Sequence, residues 1–468
     1  MSPRRPADHA GPMRPTALPQ SSLRRRLSVA GLLLAVCLGG LAPAPAGAAP
    51  ASTRTEAAVT DPARELARSA RPLADLRPLD RMIGSAEVVG VGEATHSSAE
   101  FFTTKHRIFE HLVEERGFTT FALEANWSTG LLIDAWVRTG RGDIEAIMRD
   151  EFQESYRLWN TEEYLDLFRW MREYNRAHPD RPVRFMGNDL GYAGPNLFDA
   201  VTAYVSRTRP ALLPRFRELY RESRPTGGVE EWMKGYLDRP LAERRRMAGD
   251  VNRALALLER QRPGGGAGAR EAHAWAVQHA RAIAQVGTEY AHDFATPEGL
   301  AAAMLYRDRV MAENTVWWQR RTGDRMVLSA HNGHVGYVTL DPEHYPRLQG
   351  AFLRDALGRD YVSVGASFGR GSFNAHDTGA PGEPLRVFTV GPLGPDSGAH
   401  TLDRVADEPF YLDLRRTTPA AREWLGTPRP DRNIGTAYPW PGDTVPGRLS
   451  ASYDLLIHFP RISAARLR

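Results

Sequence analysis

The sequence predicts an α/β protein: a central, mostly parallel sheet flanked by helices, with a large helical insertion over the C-terminal ends of the strands. Three observations carry that prediction. Short apolar runs alternate with segments of helical period. Residues 195–321 keep a mainly helical pattern, broken once at Gly264-Gly265-Gly266. Histidine or acidic residues stand at the ends of four successive apolar runs, where the loops of such a sheet collect ligands.

In chain order, Arg24-Arg25-Arg26 precedes an apolar run from Leu27 to Ala42, and Ala46-Gly47-Ala48 follows. That order describes a secretory signal peptide over residues 1–48. The run is short and glycine-interrupted for a span of roughly 20 residues, so no membrane span is expected after cleavage. Arg24-Arg25-Arg26-Leu27 also resembles a twin-arginine export signal. Cys37 stands in a loose lipoprotein-like box, although Val36 is larger than the usual residue there. A secreted or extracytoplasmic location follows. Residues 49–75 read as a flexible segment with a short helix near Asp61-Pro62, and residues 76–468 as the α/β domain.

Within that domain, strands are expected at 87–91, at 118–123 with Glu124 as the stop, at 183–186, at 325–330 and at 361–368. A late strand at 452–459 is placed at a sheet edge. Helices are expected at 100–116, 128–138, 161–176 and 348–357, from apolar spacing such as Phe101, Phe102, Ile108, Phe109 and Leu112.

The composition excludes several chemistries. Six arginines against one acid lie in residues 1–49; the remainder carries 54 basic and 55 acidic residues, which offers nothing to nucleic acid. Cys37 is the only cysteine, so the mature chain has no disulfide, cysteine-bound metal or thiol nucleophile. Lys105 and Lys234 are the only lysines, and neither follows a Gly-rich phosphate loop.

The reactive residues follow the predicted strands. Gly92-Glu93-Ala94-Thr95-His96 comes after the first, Glu124 ends the second, Asp189 follows the third and His331-Asn332-Gly333-His334 the fourth. Singly each has a plain structural reading: His96 as a hydrogen-bonded histidine, Asp189 as a loop cap, the late histidines as a helix start. Together they form a constellation. A carboxylate beside an imidazole fixes its tautomer and raises its basicity.

These pieces, with Phe121-Ala122-Leu123-Glu124, Gly187-Asn188-Asp189, Arg307-Asp308 and Met311-Ala312-Glu313-Asn314, resemble the erythromycin esterase family over about residues 85–370 and on towards the end of the chain. The resemblance implies a hydrolase that opens a macrolide lactone by adding water. It also implies that His96 is general base, with Glu93, Glu124, His331 and His334 as the other functional positions. Asp189, Arg107, Arg307 and Asn332 stand as supporting or substrate-binding candidates, with His331, His334 or Arg107 as donors to the oxyanion. Ser97 and Ser98 depart from the family, many of whose members carry glycine after the histidine.

Ester hydrolysis by this set needs no cofactor, and its partner is a small ester or lactone. Alternatives remain open. Glu93, His96, Glu124, His331 and His334 are also ligands suited to zinc or manganese. Gly365-Ala366-Ser367-Phe368-Gly369 fits a serine nucleophile elbow, with His376-Asp377 as poor triad partners. A non-catalytic binding protein, or an enzyme of surface polysaccharide assembly, can use the same scaffold.

Overall fold

The computed structural model describes residues 61–440 and 443–468. The expected leader at 1–48, Cys37 included, and residues 49–60 lie outside the described residues.

Twelve strands are present among the described residues: β1 (Arg71–Pro72), β2 (Val88–Val91), β3 (Thr120–Asn126), β4 (Arg184–Asp189), β5 (Met326–Ser329), β6 (Tyr361–Asp377), β7 (Leu385–Val390), β8 (Phe410–Asp413), β9 (Arg429–Arg432), β10 (Ala437–Tyr438), β11 (Thr444–Gly447) and β12 (Leu455–Ile462). Ten form one sheet in the order β1-β8-β12-β6-β2-β5-β3-β4, with β7 and β10 also pairing to β6. From β4 across to β12 every neighbour is parallel; β8 and β1 close the edge antiparallel. β9 and β11 pair only with each other.

The parallel strands are apolar on both faces because helices cover both. Helices Ala99–Arg116 and Glu162–Ala177 set Phe101, Phe109 and Phe168 in one cluster with Val89, Phe121 and Phe185. On the other face, Leu197, Met304 and Trp318 of the helical block join Val88, Ala122 and Met186. That block runs from Pro195 to Thr322 in six α-helices. The predicted fold class is therefore the observed one. No helix of the described residues is long and apolar enough to cross a membrane.

Several boundaries differ from expectation, each for a local reason. Glu124 does not stop β3; the strand passes it and shifts register against β4 between Leu123 and Asn126. β6 extends for 17 residues because it gains β7 and β10 as partners beyond Phe368. β12 is no edge strand: it lies between β6 and β8. The described part of the segment expected to be flexible is folded. Asp61 caps helix Pro62–Ala67, β1 pairs with β8, and Leu66 and Leu73 are buried.

Two glycines set the close packing of β4 against the end of β3 and the helix Trp127–Thr139. A Cβ on Gly187 would lie 2.2 Å from the Asn126 carbonyl oxygen, and one on Gly130 would lie 2.1 Å from the Gly187 nitrogen. Backbone on both sides leaves no flexible tip to yield. Gly187→Ala is therefore expected to cost about 1–3 kcal/mol of stability in urea unfolding, and to lower activity by displacing Asp189 on the same strand.

Candidate active site

Four loops or strand ends converge at the carboxyl edge of β2, β3, β4 and β5. The loop after β2 must start with a glycine, because a Cβ on Gly92 would fall 2.3 Å from Asn332 Oδ1. The Asn332 N–H donates to the Glu93 carbonyl (2.9 Å), and the His331 N–H donates to Glu124 Oε2 (3.0 Å). Those two bonds tie the β5 loop to β2 and β3.

His96 is held from behind. Its Nδ1–H donates to Glu93 Oε1 at 2.9 Å, which leaves Nε2 for substrate or water. The Lys105 ammonium, on the buried face of helix Ala99–Arg116, donates to Glu93 Oε2 at 2.5 Å and to the Ala330 carbonyl at 3.2 Å. All three side chains are nearly inaccessible. Burial lowers the Lys105 ammonium from its ordinary value, against the opposing charges of Glu93 and Glu124. The His96 ring lies between Trp159 and His331, with centroids 5.1 and 4.7 Å away.

Beside this chain sits a second charged cluster. The Arg307 guanidinium, from the helical block, donates to Asp189 through Nε (2.9 Å) and Nη2 (2.5 Å), and to Glu124 Oε1 (3.0 Å). The Tyr156 hydroxyl also donates to Asp189, at 2.8 Å. His334 Nδ1–H donates to Asp308 Oδ1 (2.9 Å), and its Nε2 is 3.3 Å from Glu124 Oε1. Burial would lower His334, but Asp308 and Glu124 push it up to about 10, so it is an imidazolium at neutral pH. Its 3.1 Å approach to Arg307 Nη1 is then a contact between two cations, tolerated among three carboxylates. Burial would raise Glu124, yet His334, His96 and Arg307 hold it well below the usual carboxylate range.

Glu93, His96, Glu124, His331, His334, Asp189 and Arg307 thus come together at one edge. Asn332 is there too, but its side-chain amide is committed to β6, donating to the Ala366 carbonyl (2.7 Å) and accepting from its N–H (2.9 Å). His331 is a neutral ring: its Nε2–H donates to the Ile434 carbonyl (3.1 Å) while Nδ1 accepts from the Gly333 N–H (3.1 Å). Burial keeps it well below its ordinary pKa. In this structure neither late histidine has an N–H free for an oxyanion.

Arg107 is not part of the site. It is exposed and reaches the Leu73 carbonyl at 3.4 Å, because two residues along a helix from Lys105 is the opposite face. The serine elbow is also absent: Ser367 lies mid-strand in β6, and no helix follows it. A cleft opens from His96 and His331, walled by Tyr345, Leu340, Asn433 and Tyr453.

The erythromycin esterase profile matches residues 113–462. The chain belongs to the erythromycin esterase family. This membership makes it a hydrolase of that family. The match begins after the Gly92–His96 loop and extends well past residue 370. An erythromycin esterase type II of Escherichia coli is 24% identical over 333 residues, covering 64% of this chain and 73% of that protein. The putative hydrolase YbfO of Bacillus subtilis is 26% identical over 136 residues, 29% of each chain. Among solved structures, a Bacillus cereus protein aligns with a TM-score of 0.77 at 29% identity, covering 88% of this chain and 99% of that one. A succinoglycan biosynthesis protein aligns with a TM-score of 0.76 at 25% identity, over 89% and 100%. An erythromycin esterase mutant in its open conformation shares the fold, with a TM-score of 0.65 at 16% identity over 85% and 98%.

Sequence reasoning missed three contributors to this esterase-family site: Lys105, Asp308 and Trp159. Lys105 had a legible signal, since Phe101, Lys105 and Ile108 share the i, i+4, i+7 face that helix Ala99–Arg116 buries. Asp308 follows Arg307 directly, and both are buried.

The His334 shift carries a pH consequence. Its folded pKa, near 10, lies above the ordinary 6.5, so its stabilisation is complete below pH 6.5 and is lost as pH rises through 10. The stability gap between the wild type and His334→Gln is expected to be widest at pH 6 and to close towards pH 10 in denaturant titrations.

Proposed function

We propose that the chain is an exported hydrolase that adds water to an ester or macrolide lactone, with His96 as general base. The observation that carries this reading is the Lys105–Glu93–His96 chain, buried behind a ring that faces an open cleft. Glu93 holds the proton on Nδ1, so Nε2 is the basic nitrogen. Water gives a proton to His96 Nε2 as its oxygen attacks the acyl carbon, and the carbonyl electron pair moves onto oxygen. Glu93 steadies the resulting imidazolium. Collapse of the tetrahedral species expels the alkoxide, which takes the proton back from Nε2 and leaves as the alcohol.

No cofactor is needed in this scheme. Of the five side chains with metal-ligand chemistry, the two carboxylates are already paired with cations: Glu93 with Lys105, and Glu124 with Arg307 and His334. Among the described residues no group of three or more potential ligands is arranged to hold a metal ion. A metal would have to displace those cations, which chelation tests directly.

Polysaccharide assembly is the second reading, favoured by the likeness to the succinoglycan biosynthesis protein, matched over its full length. A panel of lactones, simple esters and acylated glycans, run with and without chelator, separates the readings. A mass gain of one water on an ester or lactone, insensitive to chelator, is the expected result. Turnover confined to glycans, or lost on chelation, would overturn the proposal.

His96→Ala should lower kcat by about 10²–10⁴-fold with its unfolding midpoint retained. Lys105→Met should lower kcat more than it raises KM and shift the acidic limb of the pH–rate profile, whereas Arg107→Ala should leave both parameters near wild type. Equal losses in the two variants would remove Lys105 from the mechanism.

A further inference from the structure

A second cleft lies away from His96. Arg68, Arg71, Arg81 and Arg416 line it, with Ser69 and a single acid, Asp413. Helix Arg77–Ile83 leads into the start of β2, whereas His96 follows its end, so the two clefts lie towards opposite ends of that strand.

The four arginines come from four separate segments. Arg68 caps helix Pro62–Ala67, Arg71 is on β1, Arg81 is in helix Arg77–Ile83, and Arg416 follows β8. All four are exposed. Tertiary structure, not local periodicity, gathers them around one space.

Their charge is only partly balanced from within. Asp413 is buried and committed to Arg415, whose Nε and Nη2 reach its two oxygens at 2.8 and 3.0 Å. Arg416 approaches the same carboxylate only to 3.9 Å. Arg68 is paired with Glu65 at 3.2 Å. Among the described residues, the Arg71 guanidinium donates to the Ala70 carbonyl alone (2.8 Å), and Arg81 makes no side-chain bond.

Like charges around one cleft repel, and an anion that enters relieves the repulsion. The planar fork of a guanidinium matches the oxygens of a phosphate, and a tetrahedral group can be approached from several sides at once. Ser69 adds a hydroxyl donor to the same lining. We propose that this cleft is a binding site for a phosphate-bearing ligand, separate from the cleft at His96. The phosphate can belong to a soluble ester or to a phospholipid headgroup.

Calorimetric titration of pyrophosphate at low ionic strength tests the site without turnover. The wild type should bind it, and the double variant Arg71→Gln, Arg81→Gln should bind at least about tenfold more weakly. Arg207→Gln, which removes an equally exposed charge from helix Pro195–Thr208, should bind as the wild type does. No binding by the wild type, an unchanged affinity in the double variant, or an equal loss in Arg207→Gln would each overturn the proposal. Thermal melts check the fold; should the double variant melt early, Arg81→Gln alone gives the same reading, since that side chain has no partner to lose. Cosedimentation with phosphatidylglycerol vesicles, against phosphatidylcholine alone, separates the two sources. Capture that the double variant loses assigns a headgroup, and no capture, or capture that the double variant keeps, assigns a soluble phosphate ester.

Discussion

The site depends on a single guanidinium. Arg307 bridges Glu124 on β3 and Asp189 on β4, and it arrives from a helix more than a hundred residues further along the chain. A buried carboxylate without such a partner would neutralise itself or open the structure to water. With it, two strand ends, the helical block and the β5 loop are locked in one arrangement. Such pairs add little net stability over an apolar core of the same shape, yet breaking one typically costs about 3–5 kcal/mol. Their value here is positional: the loop carrying His331 and His334 lands on Glu124, and the wall beside His96 is set with it.

A second consequence concerns how charge is divided. His334 is committed as a cation between Asp308 and Glu124, while His331, against the same loop, is held neutral by burial and by a carbonyl on its Nε2. His96 alone keeps a ring nitrogen open towards the cleft. Three histidines brought together thus take three different jobs, set by what each nitrogen touches rather than by residue type.

Much of this arrangement was legible in the sequence. The alternation of apolar runs with helical periods located the parallel strands and the helical block, because burial on both faces leaves a continuous apolar signature. The strand-end rule then gathered His96, Glu124, Asp189 and the late histidines. Other features depend on partners that no local pattern encodes. β12 has the composition of an edge strand but is enclosed by β6 and β8, and Glu124 lies within a register shift rather than at a strand end. Arg107 and Lys105 differ by two positions, and only helix phase decides which of them turns inward. The Ser367 alternative fails for a related reason: five residues define an elbow only if the backbone bends there, and β6 continues straight through them.

The division between the charged cluster and the outer walls beside it follows chain position. Reactive groups come from β2 to β5 and the helices feeding them, whereas the outer surfaces around Leu340, Trp424 and Val445 come from later connections and the isolated β9–β11 hairpin. Replacing residues along that hairpin alters what fits without touching a buried ion pair. The charged cluster and that outer wall are therefore encoded by separate stretches of chain, and either can be reshaped while the other keeps its geometry.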